Sequence, residues 1–243
     1  MLDALEIEAL ERAIVASVAP ERVIELDGWL VPIDDGDIGR AKSAVPLRHV
    51  GGPAPIAAIE EAYRRARRPA AFRLAETQGL IAARAELLRR GYAAHTPTIM
   101  KTGTASGLIA LGGQPGEVVA APDAGWIAAF SGEGFDRAES AARVRNLSRS
   151  PDALFGAVRE GDRTLAVGVI TFGGGWAGIH GMRTAPDRRK EGLASRVLSA
   201  LGRAAATRGV ERVFLQVKED NPARSLYRKA GFELAWRYQY WAR

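Results

Sequence analysis

What most constrains the fold of this chain is one run of residues, 176–205, where an extended segment meets a short basic turn and then a helix. Leu193, Val197, Leu198, Leu201 and Ala205 recur at helical spacing, so they form a single apolar stripe that has to be buried against a neighbouring layer. Between the strand and the helix lies Thr184-Ala-Pro-Asp-Arg-Arg-Lys-Glu-Gly-Leu-Ala194. A helix start leaves unpaired N–H groups and the positive end of the helix dipole facing outward. Gly192 and Ala194 keep bulky side chains away from those groups, and Arg188, Arg189 and Lys190 strengthen the field. The turn reads as a cradle for a phosphate or pyrophosphate built mostly from backbone. The competing reading is a surface turn whose cations serve solubility.

The chain has 243 residues, enough for one large or two modest cores. It has no cysteine, which excludes disulfides, thiolate metal sites and a cysteine nucleophile. His49, His95 and His180 are too scattered to suggest zinc. No apolar run approaches the roughly 18 residues needed to span a membrane. The first residues are acidic, unlike a secretory signal, so the expected location is the cytoplasm. Residues 1–118 hold 14 Lys/Arg against 15 Asp/Glu, whereas residues 119–243 hold 20 against 13. A basic half suits either nucleic acid or a polyanionic cofactor. Its cations are scattered, with no long basic run or aromatic signature, so nucleic acid is the lesser of the two.

Taken in order, the periodicities predict a helix over 2–18, a strand over 23–32, a helix over 56–67, a strand over 70–74, a helix over 79–90 and a strand over 92–101. Residues 103–116 are rich in glycine and read as a linker, which places a domain boundary between 116 and 117. Beyond it the pattern gives a strand at 118–121, helices over 123–130 and 135–147, and a meander of strands over 154–159, 164–172 and 176–184. The basic turn and its helix follow, then a strand at 213–217, a helix over 222–230 and a strand over 232–241. This is a mixed α/β domain.

A second motif lies in Asn221-Pro-Ala-Arg-Ser-Leu-Tyr-Arg-Lys-Ala-Gly-Phe232: Asn221 reads as an N-cap, Pro222 as the first helical residue and Gly231 as the stop. Tyr227 on this helix reads equally as a half-buried aromatic. Together, Arg189-x-x-Gly192-x-Ala194, the Asn221…Tyr227 helix and the order of elements over 118–243 resemble the GCN5-related N-acetyltransferases, the GNAT family. The resemblance implies the GNAT acyl-CoA N-acyltransferase fold and acetyl-CoA as cofactor. It implies diphosphate contacts from Arg188, Arg189, Lys190, Glu191, Gly192, Leu193, Ala194 and Ser195. Pantetheine would pair with the main chain of Met182, Arg183 and Thr184, and Asn221, Arg224 and Tyr227 would line the cofactor cleft. Tyr227 would protonate the departing thiolate. His180 stands on the same strand at an offset where some family members carry a base; others use a glutamate two residues earlier, where this chain has Gly178. A water chain is the alternative base.

An alkyl amine with a pKa near 10.4 is neutral in only about one molecule in 10³ at pH 7, so transfer to it needs a desolvated or deprotonated amine. The expected acceptor is a small-molecule, amino-acid or peptide amine. Its pocket is expected around 130–135, the domain junction and Trp176 or Trp236. Glu86-Leu-Leu-Arg-Arg-Gly-Tyr92 resembles Leu226-Tyr-Arg-Lys-Ala-Gly-Phe232, with Leu87 in place of Tyr227 and Ile81 in place of Asn221. Residues 1–116 therefore read as a degenerate tandem copy and 117–243 as the acetyltransferase domain, in a monomer or homodimer. The alternative function is a CoA-binding sensor without turnover.

Overall fold

The computed structural model describes residues 2–132 and 136–243. Helix α1 (Ala4–Ala16) begins at a capping box: Asp3 Oδ1 accepts from the N–H groups of Leu5 and Glu6, and Glu6 Oε2 accepts from the Asp3 N–H. The single strand expected over 23–32 is instead a hairpin of β1 (Arg22–Leu26) and β2 (Trp29–Ile33). Asp27 and Gly28 both adopt positive φ, at 46° and 77°, which is the two-residue turn that an Asp-Gly pair favours. A short 3-10 turn (Gly39–Ala41) and β3 (Val45–Pro46) follow, completing a three-stranded sheet. Next come α2 (Ile56–Arg65), β4 (Phe72–Ala75), α3 (Ile81–Arg89) and β5 (Ala93–Thr104).

The glycine-rich stretch 103–116 is more structured than a linker. β5 runs through Gly103 to Thr104, whose Oγ1 accepts from the Gly107 N–H and caps α4 (Ala105–Ile109). A Cβ on Gly107 would meet the carbonyl oxygen of Ala230 at 2.4 Å, so this glycine permits a close backbone approach.

The remaining elements are β6 (Glu117–Val119), α5 (Ala124–Phe130), α6 (Arg137–Ser148), β7 (Leu154–Glu160), β8 (Arg163–Gly173), β9 (Trp176–Thr184), α7 (Leu193–Thr207), β10 (Arg212–Lys218), α8 (Arg224–Lys229) and β11 (Glu233–Ala242). Asp123 caps α5 as its sequence position predicts, accepting from the Trp126 N–H. Phe135, the expected first residue of α6, lies outside the described residues. α8 starts later than expected, because Asn221 and Pro222 form a preceding turn in which Asn221 Oδ1 accepts from the Ala223 N–H.

The main sheet has eight strands in the order β4-β11-β5-β10-β9-β8-β7-β6. β5 comes from the first half of the chain but lies between β10 and β11 of the second half. It pairs antiparallel with both, and β11 in turn pairs with β4. The units β4-α3-β5 and β10-α8-β11 have thus exchanged their second strands. The short sequence repeat is this exchange seen in one dimension. Gly91 and Gly231 end the two helices at φ 82° and 76°, and the N–H groups of Tyr92 and Phe232 reach back to the carbonyls of Leu87 and Tyr227, both at 3.0 Å. Leu87 occupies the place of Tyr227, and both are buried.

Two large apolar clusters flank the sheet. One joins α1, α2 and β4 to Trp176, Phe214, Trp236, Tyr238 and Trp241, and so spans both halves of the chain. The other gathers around α7 and includes all five residues of its predicted stripe. Within the first, Glu11 and Arg73 are each 1% exposed and paired at 2.7 Å, with His49 against the other Glu11 oxygen at 3.2 Å. Burial by itself raises the Glu11 pKa; Arg73 and His49 outweigh it and hold the carboxyl below its ordinary range. No described helix is long and apolar enough to cross a membrane.

Two outcomes follow. Residues 117–243 expressed alone lack β5 and should be insoluble or unfolded, with soluble folded protein recovered on co-expression with residues 1–116; circular dichroism and gel filtration read this. Glu11→Ala should cost about 3–5 kcal/mol in urea denaturation, because Arg73 is left as an uncompensated buried charge. Since the folded Glu11 pKa is depressed, its contribution is fully present above about pH 4.5 and fades as pH falls through the folded value, so wild type and variant should converge in acid.

Candidate active site

β9 and β10 run parallel but pair only at Val213 with Ala177, Phe214 with Gly178, and Leu215 with Ile179. Past these residues the strands separate. A bulge in β9 accompanies the parting: Gly181 and Met182 together face Gly168 of β8, and the register shifts between Val167 and Val169. Gly181 has φ 59°, and a Cβ there would meet the Phe130 ring at 2.8 Å, so both conformation and space demand glycine.

A cleft of about 1340 Å³ opens where the strands part. Residues 179–183 of β9 and 215–218 of β10 line it, along with Asn221 and Tyr227. Arg40, Tyr63 and Tyr238 line another wall, and Phe130, Ser140 and Arg143 lie on the side of α5 and α6. Phe130 thus borders the cleft as expected. Trp176 and Trp236 do not: both are core residues, Trp176 beneath Arg212 and Trp236 against His49.

At the end of β9, a 3-10 turn (Pro186–Arg188) leads into Lys190 and Gly192, at φ 68° and 78°. α7 then begins at Leu193 with no side chain capping it, so the donors of its first turn are left to an incoming acceptor. The three cations of this turn differ in their surroundings. Arg188 is paired with Glu160 at 2.9 Å and with Glu191 at 2.8 Å, which also occupies Glu191. Arg189 and Lys190 form no ion pair among the described residues. Leu193 turns its side chain into the core, so only its main chain faces the turn. Ala194 and Ser195 follow it in the first turn of α7. Thr184 stays in the ladder opposite Ala166.

The other predicted residues divide in the same way. Met182, Arg183, Asn221 and Tyr227 line the cleft, whereas Arg224 does not; its guanidinium donates to the Glu219 carbonyl at 2.6 Å. The Arg183 side chain lies 4.0 Å over the Phe130 ring and donates to the Phe130 carbonyl and Ser140 Oγ. Burial lowers its pKa to about 10. Tyr227 is 7% exposed, and burial pushes its pKa up to about 12, so it holds its proton across neutral pH.

His180 is 7% exposed at the point where the strands part. Its Nδ1 lies 3.4 Å from Arg40 Nη2 and its Nε2 lies 3.1 Å from Thr171 Oγ1. Arginine can only donate, so Nδ1 accepts, and a neutral ring then carries its proton on Nε2 and donates to Thr171. Burial, and secondarily the Arg40 charge, holds the His180 pKa well below 6.5, so the ring is neutral near pH 7. Gly178 is small because a Cβ there would meet Phe214 at 2.5 Å and His180 Nε2 at 2.6 Å.

Sequence reading passed over Arg40 and Gln216. Arg40 lies 140 residues before His180, in a turn with no motif. Gln216 looks like an ordinary strand residue, yet both ends of its amide are buried without a partner. No cluster of described residues could hold a metal ion.

The sequence model of a family described as "Probable histone acetyltransferase Rv0428c C-terminal" matches residues 4–241. No curated protein matches the sequence. Among solved structures, a GCN5-related N-acetyltransferase from Kribbella flavida superposes with TM-score 0.72 at 18% identity, covering 97% of this chain and 95% of that one. A tandem GNAT protein from the clavulanic acid biosynthesis pathway gives 0.61 at 15% identity over 98% and 87% of the two chains. A GNAT-family acetyltransferase from Colwellia psychrerythraea gives 0.53 at 15% identity over 100% and 98%. At these identities the likeness is one of fold.

If the turn before α7 is an anion cradle, reversing Arg189 and Lys190 to glutamate should weaken CoA binding tenfold or more by calorimetry, since each charge-assisted contact is worth about 1.5–3 kcal/mol. Arg188→Ala, which removes a cation already held by two carboxylates, should change affinity by less than about threefold.

Proposed function

The chain belongs to the Rv0428c C-terminal acetyltransferase family, within the GCN5-related N-acetyltransferases, and on that premise we propose that it transfers an acetyl group from acetyl-CoA to the amine of a small molecule, amino acid or peptide. The observation that carries this reading is the cleft where β9 and β10 part, lined by the buried, protonated Tyr227, with the uncapped start of α7 reached from β9 by the turn that lies outside the cleft. Each end suits a different part of the cofactor. The main-chain donors of residues 192–195, with Arg189 and Lys190, fit a diphosphate. The bulged main chain of Met182 and Arg183 fits an extended amide-bearing arm that adds to the strand as another strand would.

Bound acetyl-CoA supplies an activated acyl thioester. The chain's own contributions are positional and acid–base. The main-chain N–H of Met182 or Thr184 is the candidate to steady a developing oxyanion. Tyr227 Oη keeps its proton at neutral pH and is the candidate to pass it to a departing thiolate. His180 is neutral, with a lone pair on Nδ1 directed at Arg40, and is the candidate to take the proton of the amine. Arg188 and Glu191 pair with each other, and Arg188 with Glu160, so their charges are already answered within the protein.

A thiol-release assay over a panel of amines tests the reading. Tyr227→Phe should lower kcat by about 10²–10³, in the range of a lost general acid, while leaving acetyl-CoA affinity within about twofold. An unchanged kcat would remove Tyr227 from the mechanism. Tight CoA binding with no product from any amine would point to a sensor.

A further inference from the structure

We propose that Arg40 is the anchor for an anionic group on the acceptor, so that the natural acceptor is an amine that also carries a carboxylate, as an amino acid does. This deepens the acetyl-transfer reading and rests on it. Arg40 sits in the 3-10 turn Gly39–Ala41, which the fold holds in place. Ile38 and Ala41 are buried in a core cluster with Trp126 and Phe130, Ser43 Oγ donates to the Gly39 carbonyl at 2.8 Å, and the Tyr240 ring packs so close to Gly39 that a Cβ there would meet it at 2.9 Å.

The guanidinium held there lacks an anion. Among the described residues Arg40 forms no ion pair and its Nε is buried with no hydrogen-bond partner; its Nη2 approaches His180 Nδ1 at 3.4 Å, and its charge lies near the Tyr238 phenol. Partly burying a guanidinium without an opposite charge is unfavourable, and a ligand carboxylate answers it with two parallel hydrogen bonds. Gln216, lining the same cleft, leaves both its amide oxygen and its amide nitrogen unpartnered, ready for a ligand with both donor and acceptor groups.

The charge of the cleft agrees. Its lining holds eight Lys/Arg against five Asp/Glu; Arg64, Arg68, Arg143 and Arg243 are tied to Glu61, Asp35, Glu139 and Glu60, and Asp34 to Arg149, whereas Arg40, Lys42 and Lys218 form no ion pair among the described residues. The turn before α7 does not line this cleft, so these cations are not accounted for by a diphosphate held there. A lysine-rich protein tail would meet like charge, whereas an amino acid would not.

The anchor also frees the base. An acceptor carboxylate that takes the Arg40 guanidinium draws it from His180 Nδ1, which then has an open lone pair. In the transfer, the bond between the amine nitrogen and the acetyl carbon forms as the carbon–sulfur bond breaks. The proton lost by the nitrogen goes to His180 Nδ1, and the sulfur receives one from Tyr227.

The test uses full-length protein loaded with CoA and titrated by calorimetry with each of the twenty amino acids beside its carboxamide, plus a lysine-rich peptide. At least one acid should bind tenfold to a hundredfold more tightly than its amide. Arg40→Met, which keeps the apolar stem, should erase that difference, and Arg40→Lys should restore part of it, with thermal melting confirming that both variants are folded. The proposal is overturned if no acid binds, if acid and amide bind alike, if the preference survives Arg40→Met, or if the peptide binds best. Binding is read without turnover, so an Arg40-dependent acid that binds but is never acetylated overturns acetyl transfer and leaves the anchor standing. If CoA itself fails to bind, the same titrations on unloaded protein still decide the role of Arg40.

Discussion

The pairing of β5 with β11 in the middle of the main sheet is the contact on which the rest of this structure depends. Each strand belongs to a unit from one half of the chain and completes the sheet of the other. Without β5, β10 and β11 would each present a bare edge, and Met100 would be missing from the apolar cluster that joins α1 to Trp236 and Trp241. The exchange also carries the 38–43 region, which belongs to the first half, to a cleft lined on its other side by β9 and β10 of the second. The two halves thereby share one candidate site.

The second constraint is local. The β9 bulge turns Gly181 into the left-handed region, and past Ile179 the strand ladder to β10 gives way. A sheet that stops pairing in its interior exposes main-chain donors and acceptors that would otherwise satisfy one another, and the protein leaves these at the bottom of a cleft. Small residues make the arrangement possible. Gly168 yields space to Met182, Gly178 to His180 and Phe214, and Gly181 to Phe130.

Electrostatics marks two places that suit an anion. One is the helix start at residues 192–195, where backbone and dipole do the work and Arg189 and Lys190 add unpaired charge. The other is Arg40, a single guanidinium beside a neutral histidine. Most of the remaining surface arginines are tied to carboxylates: Arg188 to Glu160 and Glu191, Arg163 to Asp187, and Arg159 to Glu117 and Asp123. Other cations without an ion pair, such as Arg22, Arg67 and Arg203, lie exposed, so what sets Arg40 apart is a partly buried guanidinium that lines the cleft, more than the net charge of +6.

Much of the second half was legible because its determinants are local. The α7 stripe, the Asp123 cap, the hairpin turn at Gly161 and the helix stop at Gly231 depend on residues a few positions apart, and each stands where its spacing predicts. The Asp27-Gly28 turn was equally local but was hidden by continuous apolar character on both sides. The repeat around Gly91 and Gly231 indicated that two similar units exist; it held no information on which strand pairs with which. Strand exchange depends on hydrogen bonds between residues more than a hundred positions apart, and the 103–116 glycines look the same whether they span open solvent or pack against α7 and α8. By itself the sequence determined most helices and strands of the second half and the place of the turn at Gly192 before α7, since helix periodicity, capping and turn chemistry are short-range. Only the tertiary structure decided that Arg40 and His180 meet, that the Gln216 side-chain amide finds no partner among the described residues, and that Trp176 and Trp236 belong to the core, because burial and charge pairing are properties of neighbours brought together by the sheet.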